Sequence, residues 1–226
     1  AKKMADVLGK KTDIKWYEDR MKTMKPAFDK AYWEDGFYST NKEKFKDDRA
    51  NAIAIVSGIA NVNYYNQIVD NVLIPNRFSS PHFEWMVEEA MCIADRHKES
   101  LQRMKEQYQS QVDKEGMSTL YEMFPKGGSY NHAWNGSNKI LSKYIAGVEP
   151  TEVGWREYQI MPTLLHIKYL KKTIPTVNGN IDIDIKLEDK TYQMALISPS
   201  QTTALIGIPK SGKDIKEVWV NEQFIW

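Results

Sequence analysis

The sequence predicts a chain in two parts, helical hairpins over residues 1–147 followed by an antiparallel β-domain over residues 148–226. Three observations predict it. Apolar residues recur every three or four positions as far as Gly147. At Glu149 the period shortens from about 3.6 to about 2. Beyond that point short alternating runs follow one another with turn residues between them, a spacing that suggests a β-sandwich.

Lys2 to Leu8 reads as the tail of a helix closed by Gly9. Ile14, Tyr17, Met21, Met24, Phe28 and Ala31 then mark a long amphipathic helix, in which Pro26 predicts a kink or a break near Lys25. Trp33 to Thr40 is a turn around the dipeptide Asp35-Gly36. Ala50, Ile53, Ala54, Ile59 and Ala60, with Ser57 and Gly58, describe a helix of small residues, and Asn66 to Leu73 describes another that ends before Pro75. Ser80-Pro81 supplies an N-cap and a first-turn proline to a helix whose apolar stripe is Phe83, Met86, Val87, Ala90, Met91 and Ala94. After a break near residues 95–97, Leu101, Met104, Tyr108 and Val112 carry the helical period toward Gly116. Ile140, Leu141, Tyr144 and Ile145 form the last helix, which stops at Gly147.

The alternating runs are Tyr158-Ile160, Leu165-Ile167-Tyr169, Ile181-Ile183-Ile185, Tyr192-Met194-Leu196, Ala204-Ile206-Ile208 and Val218-Val220. Turns are expected at Asn178-Gly179 and Glu188-Asp189-Lys190.

Composition narrows the function classes. With 31 basic and 30 acidic residues the net charge is +1, which provides no cationic field for nucleic acid or a membrane surface. No apolar run approaches the roughly 20 residues that span a bilayer, and the Lys-rich start lacks the apolar middle of a signal peptide. The one cysteine, Cys92, has no second thiol to pair with and reads as a buried structural thiol. The four histidines, His82, His97, His132 and His166, share no metal-ligand spacing, so no metal site is expected. There is no G-x-S-x-G elbow for acyl transfer, and the Gly-rich Lys126-Gly127-Gly128-Ser129 follows Phe124-Pro125 rather than a strand, without nucleotide-binding spacing. No cofactor is implied.

What remains is carboxylate chemistry in the stretch from Gly116 to Gly147. Thr119-Leu120-Tyr121-Glu122 puts an acid beside aromatic and apolar neighbours, the kind of setting that suits a carboxyl group to proton transfer. Asn131, His132 and Trp134 offer an amide, an imidazole and an indole, which suit the hydrogen-bonding edges and apolar face of a sugar ring. Against this stands the plain alternative that a single Glu beside a loop is most often a solvated surface residue.

Four blocks taken together carry a family resemblance. Ser80-Pro81-His82-Phe83, Gly116-Met117-Ser118-Thr119-Leu120-Tyr121-Glu122, Ser129-Tyr130-Asn131-His132-Ala133-Trp134 and Lys143 to Pro150 follow one another as in the end of a bacterial α-L-rhamnosidase. Asp47 to Ala54 resembles an earlier helix of that family, and Pro175-Thr176 with Gly179-Asn180-Ile181 resembles part of its C-terminal β-domain. The resemblance implies an inverting glycosidase whose catalytic domain is an (α/α)6 toroid with a β-sandwich at its C-terminal end. It implies that Glu122 is the general base, that His132 binds the sugar, and that Trp134, Tyr121 and Phe124 line the pocket with Asn131. Tyr121 stands where the family more often has Trp. The substrate implied is a rhamnose-containing glycoside or polysaccharide.

The general acid of the family lies upstream of everything in these 226 residues, and a toroid needs about twelve helices where the periodicity yields roughly six. The chain is therefore expected to be the second half of a ring, inactive alone, with its helical faces covered by the other half or by self-association. Two alternatives stay open. One is a different (α/α)6 glycosidase or lyase, and the other a non-catalytic carbohydrate-binding or structural fragment. Should Glu122 not be the base, Asp35 and Glu152 are the carboxylates to test.

Overall fold

The computed structural model describes residues 1–40, 42–112, 120–125, 127–128, 135–189, 191–209 and 215–225. The chain divides into two compact units, Ala1–Ile140 and Leu141–Trp226.

The first unit is helical. Helix α1 (Lys2–Val7) ends at a Gly9 with φ +64°, and α2 follows at Lys11–Tyr32. Pro26 lies inside α2, and the helix continues through it without the break that the sequence predicts. Only the C-terminal end of α2 is anchored in the core. Phe28 packs with its ring 4.7 Å from that of Tyr38, and Asp29 accepts a 2.5 Å hydrogen bond from the Tyr38 hydroxyl. Strands β1 (Trp33–Glu34) and β2 (Phe37–Tyr38) form the hairpin around Asp35-Gly36, both with positive φ, as a tight primed turn requires.

Helix α3 (Asp48–Val56) starts where Asp47 accepts hydrogen bonds from the backbone N–H groups of Arg49 and Ala50. Those bonds and the Arg49 side chain, which is the larger influence, hold the Asp47 carboxyl below its usual range. A 3-10 turn at Val62–Tyr64 leads into α4 (Tyr65–Ile68), which continues as a π turn over Val69–Leu73. Ala52, Ala54, Ile55, Ile68, Val69, Val72, Leu73, Val87, Ala90 and Met91 build the core of this unit with Phe37 and Tyr38.

Helices α5 (Pro81–Ile93) and α6 (His97–Val112) pack against each other, and α7 (Ser137–Ile140) lies against α5. The expected stripe on α5 is only half right. Val87, Ala90 and Met91 are buried, but Phe83 and Met86 are half-buried while Glu84, Glu88 and Glu89 go inside. Partners explain two of these: Glu84 is paired with Arg103 of α6, and Glu89 with Lys139 of α7 at 2.7 Å.

The second unit opens with a π turn at Leu141–Ile145 and carries the strands β3 (Val148–Pro150), β4 (Glu157–Ile160), β5 (Tyr169–Thr176), β6 (Gly179–Glu188), β7 (Thr191–Ile197), β8 (Thr203–Ile206), β9 (Trp219–Val220) and β10 (Gln223–Phe224). Strands β5, β6 and β7 form an antiparallel meander, and β9 pairs with β10. A further sheet has the order β3-β4-β8, antiparallel between β3 and β4 but parallel between β4 and β8, so the unit is not uniformly antiparallel. Ile181, Ile183 and Ile185 of β6 share one core with Val148, Tyr158, Ile160 and Ile174, drawn from both three-stranded sheets.

One expected strand is displaced. Leu165 has φ +53° and Ile167 N donates to Leu164 O at 2.7 Å, so this segment turns before β5 begins at Tyr169. Gly147 is obligatory where the unit opens. Its φ is +72°, and a Cβ there would sit 2.0 Å from Met161 O, whose own N–H donates to Gly147 O at 2.9 Å.

Candidate active site

The segment that carries Glu122 has no regular secondary structure, and the end of α6 holds it in place. The Gln111 side chain accepts from Tyr121 N at 3.1 Å and donates through Nε2 to Met123 O at 3.3 Å. One residue earlier, Ser110 Oγ donates to Pro125 O at 2.9 Å. Two residues earlier still, the Tyr108 ring meets Phe124 edge-on, with centroids 5.0 Å apart and planes at 84°. The segment also closes on itself, because Met123 N donates to Gly127 O at 3.1 Å, and the Phe124-Pro125 peptide inside this loop is cis.

Glu122 is half-buried and lies against the backbone of Gly128. A Cβ at Gly128 would sit 2.8 Å from Glu122 Oε2 and 3.0 Å from Glu122 Cβ. Gly128 also has φ +72°, so steric room and backbone conformation both ask for glycine. The carboxylate is thus confined on one side while the Tyr121 N–H, the Met123 N–H and the Met123 C=O beside it are held, which favours one orientation for proton transfer.

Tyr121 and Phe124 are half-buried in the same segment. Asn131, His132 and Trp134 lie outside the described residues. The structure therefore brings together three of the six residues that the sequence singled out. The residues that hold them, Tyr108, Ser110 and Gln111, were missed. Ser110 and Gln111 stand as ordinary polar positions in an amphipathic helix, and nothing in the spacing announces their long-range partners.

Below the segment lies a group of buried charges. Arg103 is 1% exposed and donates through Nε to Glu84 Oε1 at 2.6 Å, and through its terminal nitrogens to Glu84 Oε2 at 2.9 Å, Asp48 Oδ2 at 2.7 Å and Ser79 Oγ at 2.9 Å. It also donates to Asn76 O at 2.8 Å and to Leu73 O. Burial works against its charge, but the Glu84 and Asp48 carboxylates outweigh that and hold the guanidinium above its ordinary range.

One turn along α5, Glu88 is fully buried, and among the described residues its carboxyl oxygens have no hydrogen-bond partner of good geometry, with the Ser137 hydroxyl a polar group acting on it. Burial, and then the nearby Glu84 charge, push its pKa up to about 8, which favours the neutral acid near pH 7. Burial foremost, with Glu88 and Glu84 contributing, raises the Tyr108 hydroxyl as well. Cys92 is pushed up to about 12 by its burial and is an inert thiol. At the other end of α5, Lys139 Nζ sits 4.5 Å from the Trp85 ring centroid while it pairs with Glu89.

Residues 147–221 match the family model of the bacterial alpha-L-rhamnosidase C-terminal domain. The chain is similar to the C-terminal part of bacterial alpha-L-rhamnosidases. Among solved structures, the alpha-L-rhamnosidase from Dictyoglumus thermophilum superposes on 100% of this chain with a TM-score of 0.80 at 20% identity. The GH78 family rhamnosidase of Bacillus sp. GL1 covers 92% of it with a TM-score of 0.80 at 16% identity. The Streptomyces avermitilis alpha-L-rhamnosidase complexed with L-rhamnose covers 92% with a TM-score of 0.71 at 16% identity. The chain spans only 27%, 24% and 22% of the length of these three rhamnosidases. No curated protein matches it.

Proposed function

We propose that this chain is the C-terminal part of an inverting α-L-rhamnosidase, in which Glu122 is the general base. The observation that carries this reading is the whole-chain superposition on a rhamnosidase, at a TM-score of 0.80, together with the confinement of Glu122 between Gly128 and the end of α6. On this reading the helices of Ala1–Ile140 are part of an (α/α)6 toroid, and the strands of Leu141–Trp226 form the appended β-sandwich. His132 hydrogen-bonds the rhamnose, and Trp134, Tyr121, Phe124 and Asn131 wall the pocket. An aromatic wall suits rhamnose, which carries a methyl group where most hexoses carry a hydroxymethyl.

The chemistry needs two carboxyl groups about 6.5 to 9.5 Å apart, one protonating the leaving oxygen and the other activating water on the opposite face of the ring. Glu122 takes the water's proton as water attacks the anomeric carbon. The general acid is supplied from outside these 226 residues, so the chain by itself does not turn over.

The test is hydrolysis of an aryl α-L-rhamnoside by the full-length protein, with the product anomer read by NMR before it mutarotates. The β-anomer should form first. Glu122→Gln keeps the shape of the side chain but cannot accept the proton, so kcat should fall far more than KM rises. Retention of configuration, or a near-normal kcat in Glu122→Gln, would refute the assignment.

A further inference from the structure

We infer that Gln111 is a positioning residue whose side-chain amide holds the N–H of Tyr121 and the C=O of Met123, one residue to either side of Glu122, and so aims its carboxylate. The inference rests on the reading of Glu122 as the base.

Backbone polar groups around Glu122 need hydrogen-bond partners wherever they are shielded from water. Gln111 supplies them with one planar group. Its carbonyl oxygen takes the N–H of Tyr121 and its amide nitrogen gives a proton to the C=O of Met123, so the residue between them is bracketed. An amide side chain offers a donor and an acceptor fixed in one plane at every pH, which an ionised carboxylate does not. Asparagine is one methylene shorter, which shortens its reach to the same two peptides.

The burial of Gln111 makes the arrangement costly to break. The side chain is 1% exposed, and a buried amide left unpaired costs about 1–3 kcal/mol. Both polar ends are instead used on the loop. Ser110 and Tyr108 hold Pro125 and Phe124, which lie beyond Glu122 on one side only.

A base misplaced by even an ångström loses much of its rate advantage, whereas ground-state binding of the sugar, which other residues perform, is little affected. The test compares full-length wild type with Gln111→Leu, which keeps the bulk and deletes both bonds, and with Gln111→Glu, which keeps the acceptor for Tyr121. Glu122→Gln runs beside them. On an aryl α-L-rhamnoside, Gln111→Leu should lower kcat about 10- to 100-fold while KM stays within about threefold. Hydrogen exchange at the Tyr121 amide should quicken. Gln111→Glu should recover activity at acidic pH, where its protonated carboxyl can donate to Met123 O, and lose that recovery as pH rises through its own pKa. A residue that served only to fill space would give no such pH-dependent rescue.

Wild-type kcat and wild-type Tyr121 exchange in a folded Gln111→Leu would overturn the inference. If that variant does not fold, the Gln111→Glu profile decides, and a profile of wild-type shape overturns it. If Glu122→Gln keeps full kcat, the proposed function falls. The hold on the loop is then judged by Tyr121 exchange alone, where acceleration supports it and no change refutes it.

Discussion

Arg103 and Glu84 face each other across α5 and α6 with Nε 2.6 Å from Oε1, and both side chains are withdrawn from water. The same guanidinium reaches Asp48 at the start of α3 and the carbonyl of Asn76, so one side chain ties three helices and a loop together. Removing it strands two buried carboxylates. Arg103→Met should therefore cost about 3–5 kcal/mol in chemical denaturation of the 226-residue chain. Arg103→Lys should not restore the loss, because an ammonium cannot make the forked contacts. Two variants within 1 kcal/mol of wild type would mean that the network contributes little.

Glu88 gives a stability profile of unusual sign. Its pKa of about 8 in the fold lies above the ordinary 4.5, so the folded chain keeps a proton that the unfolded chain has released between those two values. From this group stability is greatest below about pH 4.5, falls by roughly 1.4 kcal/mol per pH unit as pH rises, and levels off above about pH 8. Glu84 and Arg103 share the surroundings, so the comparison that isolates the effect is with Glu88→Gln. The variant should flatten the slope across this window and gain stability relative to wild type toward pH 8. Parallel urea midpoints for the two proteins from pH 5 to pH 8 would contradict the assignment.

These buried charges also mark where the sequence is hard to read. Apolar periodicity places α2, α3, α5 and α6 well, and the alternation of Ile181, Ile183 and Ile185 reports β6 directly. Glu84, Glu88 and Glu89 look like the solvent face of α5, because Arg103, the partner of Glu84, and Lys139, the partner of Glu89, are 19 and 50 positions away. The strand β5 is similarly hidden. Its sequence YLKKTIPT has two lysines and a proline, yet Leu170, Lys172 and Ile174 lean to the less exposed face. Burial lowers the Lys172 pKa accordingly. For the candidate site, local chemistry pointed to Glu122, and the family resemblance pointed to Tyr121 and Phe124. Nothing in the sequence pointed to Gln111, since its bonds exist only once the chain brings it to Tyr121 and Met123.

The contact between Gly128 and Glu122 gives a direct check on the candidate site. A Cβ at residue 128 would have to push the Glu122 side chain away or shift the loop, and alanine also resists φ +72°. Gly128→Ala should lower kcat of the full-length protein by at least about tenfold and leave global stability within about 2 kcal/mol, because the loop is local. Unchanged kcat would show that Glu122 has freedom to swing, and that its confinement does not matter for turnover.

The last prediction concerns α2, a helix of 22 residues with no buried position. Its stripe of Ile14, Tyr17, Met21, Met24 and Phe28 is anchored only at Phe28, while Met21 is 43% and Met24 45% exposed. Trp16 is 60% exposed nearby, and α1, which packs on this helix, exposes Met4, Val7 and Leu8. Apolar surface in water costs about 25 cal/mol per Å², so even a few hundred Å² left bare amounts to several kcal/mol, a large share of what keeps a domain folded. An amphipathic helix in this state gains by meeting another apolar face, and a second copy of the same helix is always available to the isolated chain. The 226-residue chain should therefore sediment at micromolar concentration as a species heavier than its 26.2 kDa monomer. Met21→Lys with Met24→Lys should return it to monomer without unfolding α3, α5 or α6, whose core lies elsewhere. A wild-type chain that stays monomeric through this range would show that the stripe of α2 is tolerated bare, and that its period reflects packing against α1 alone.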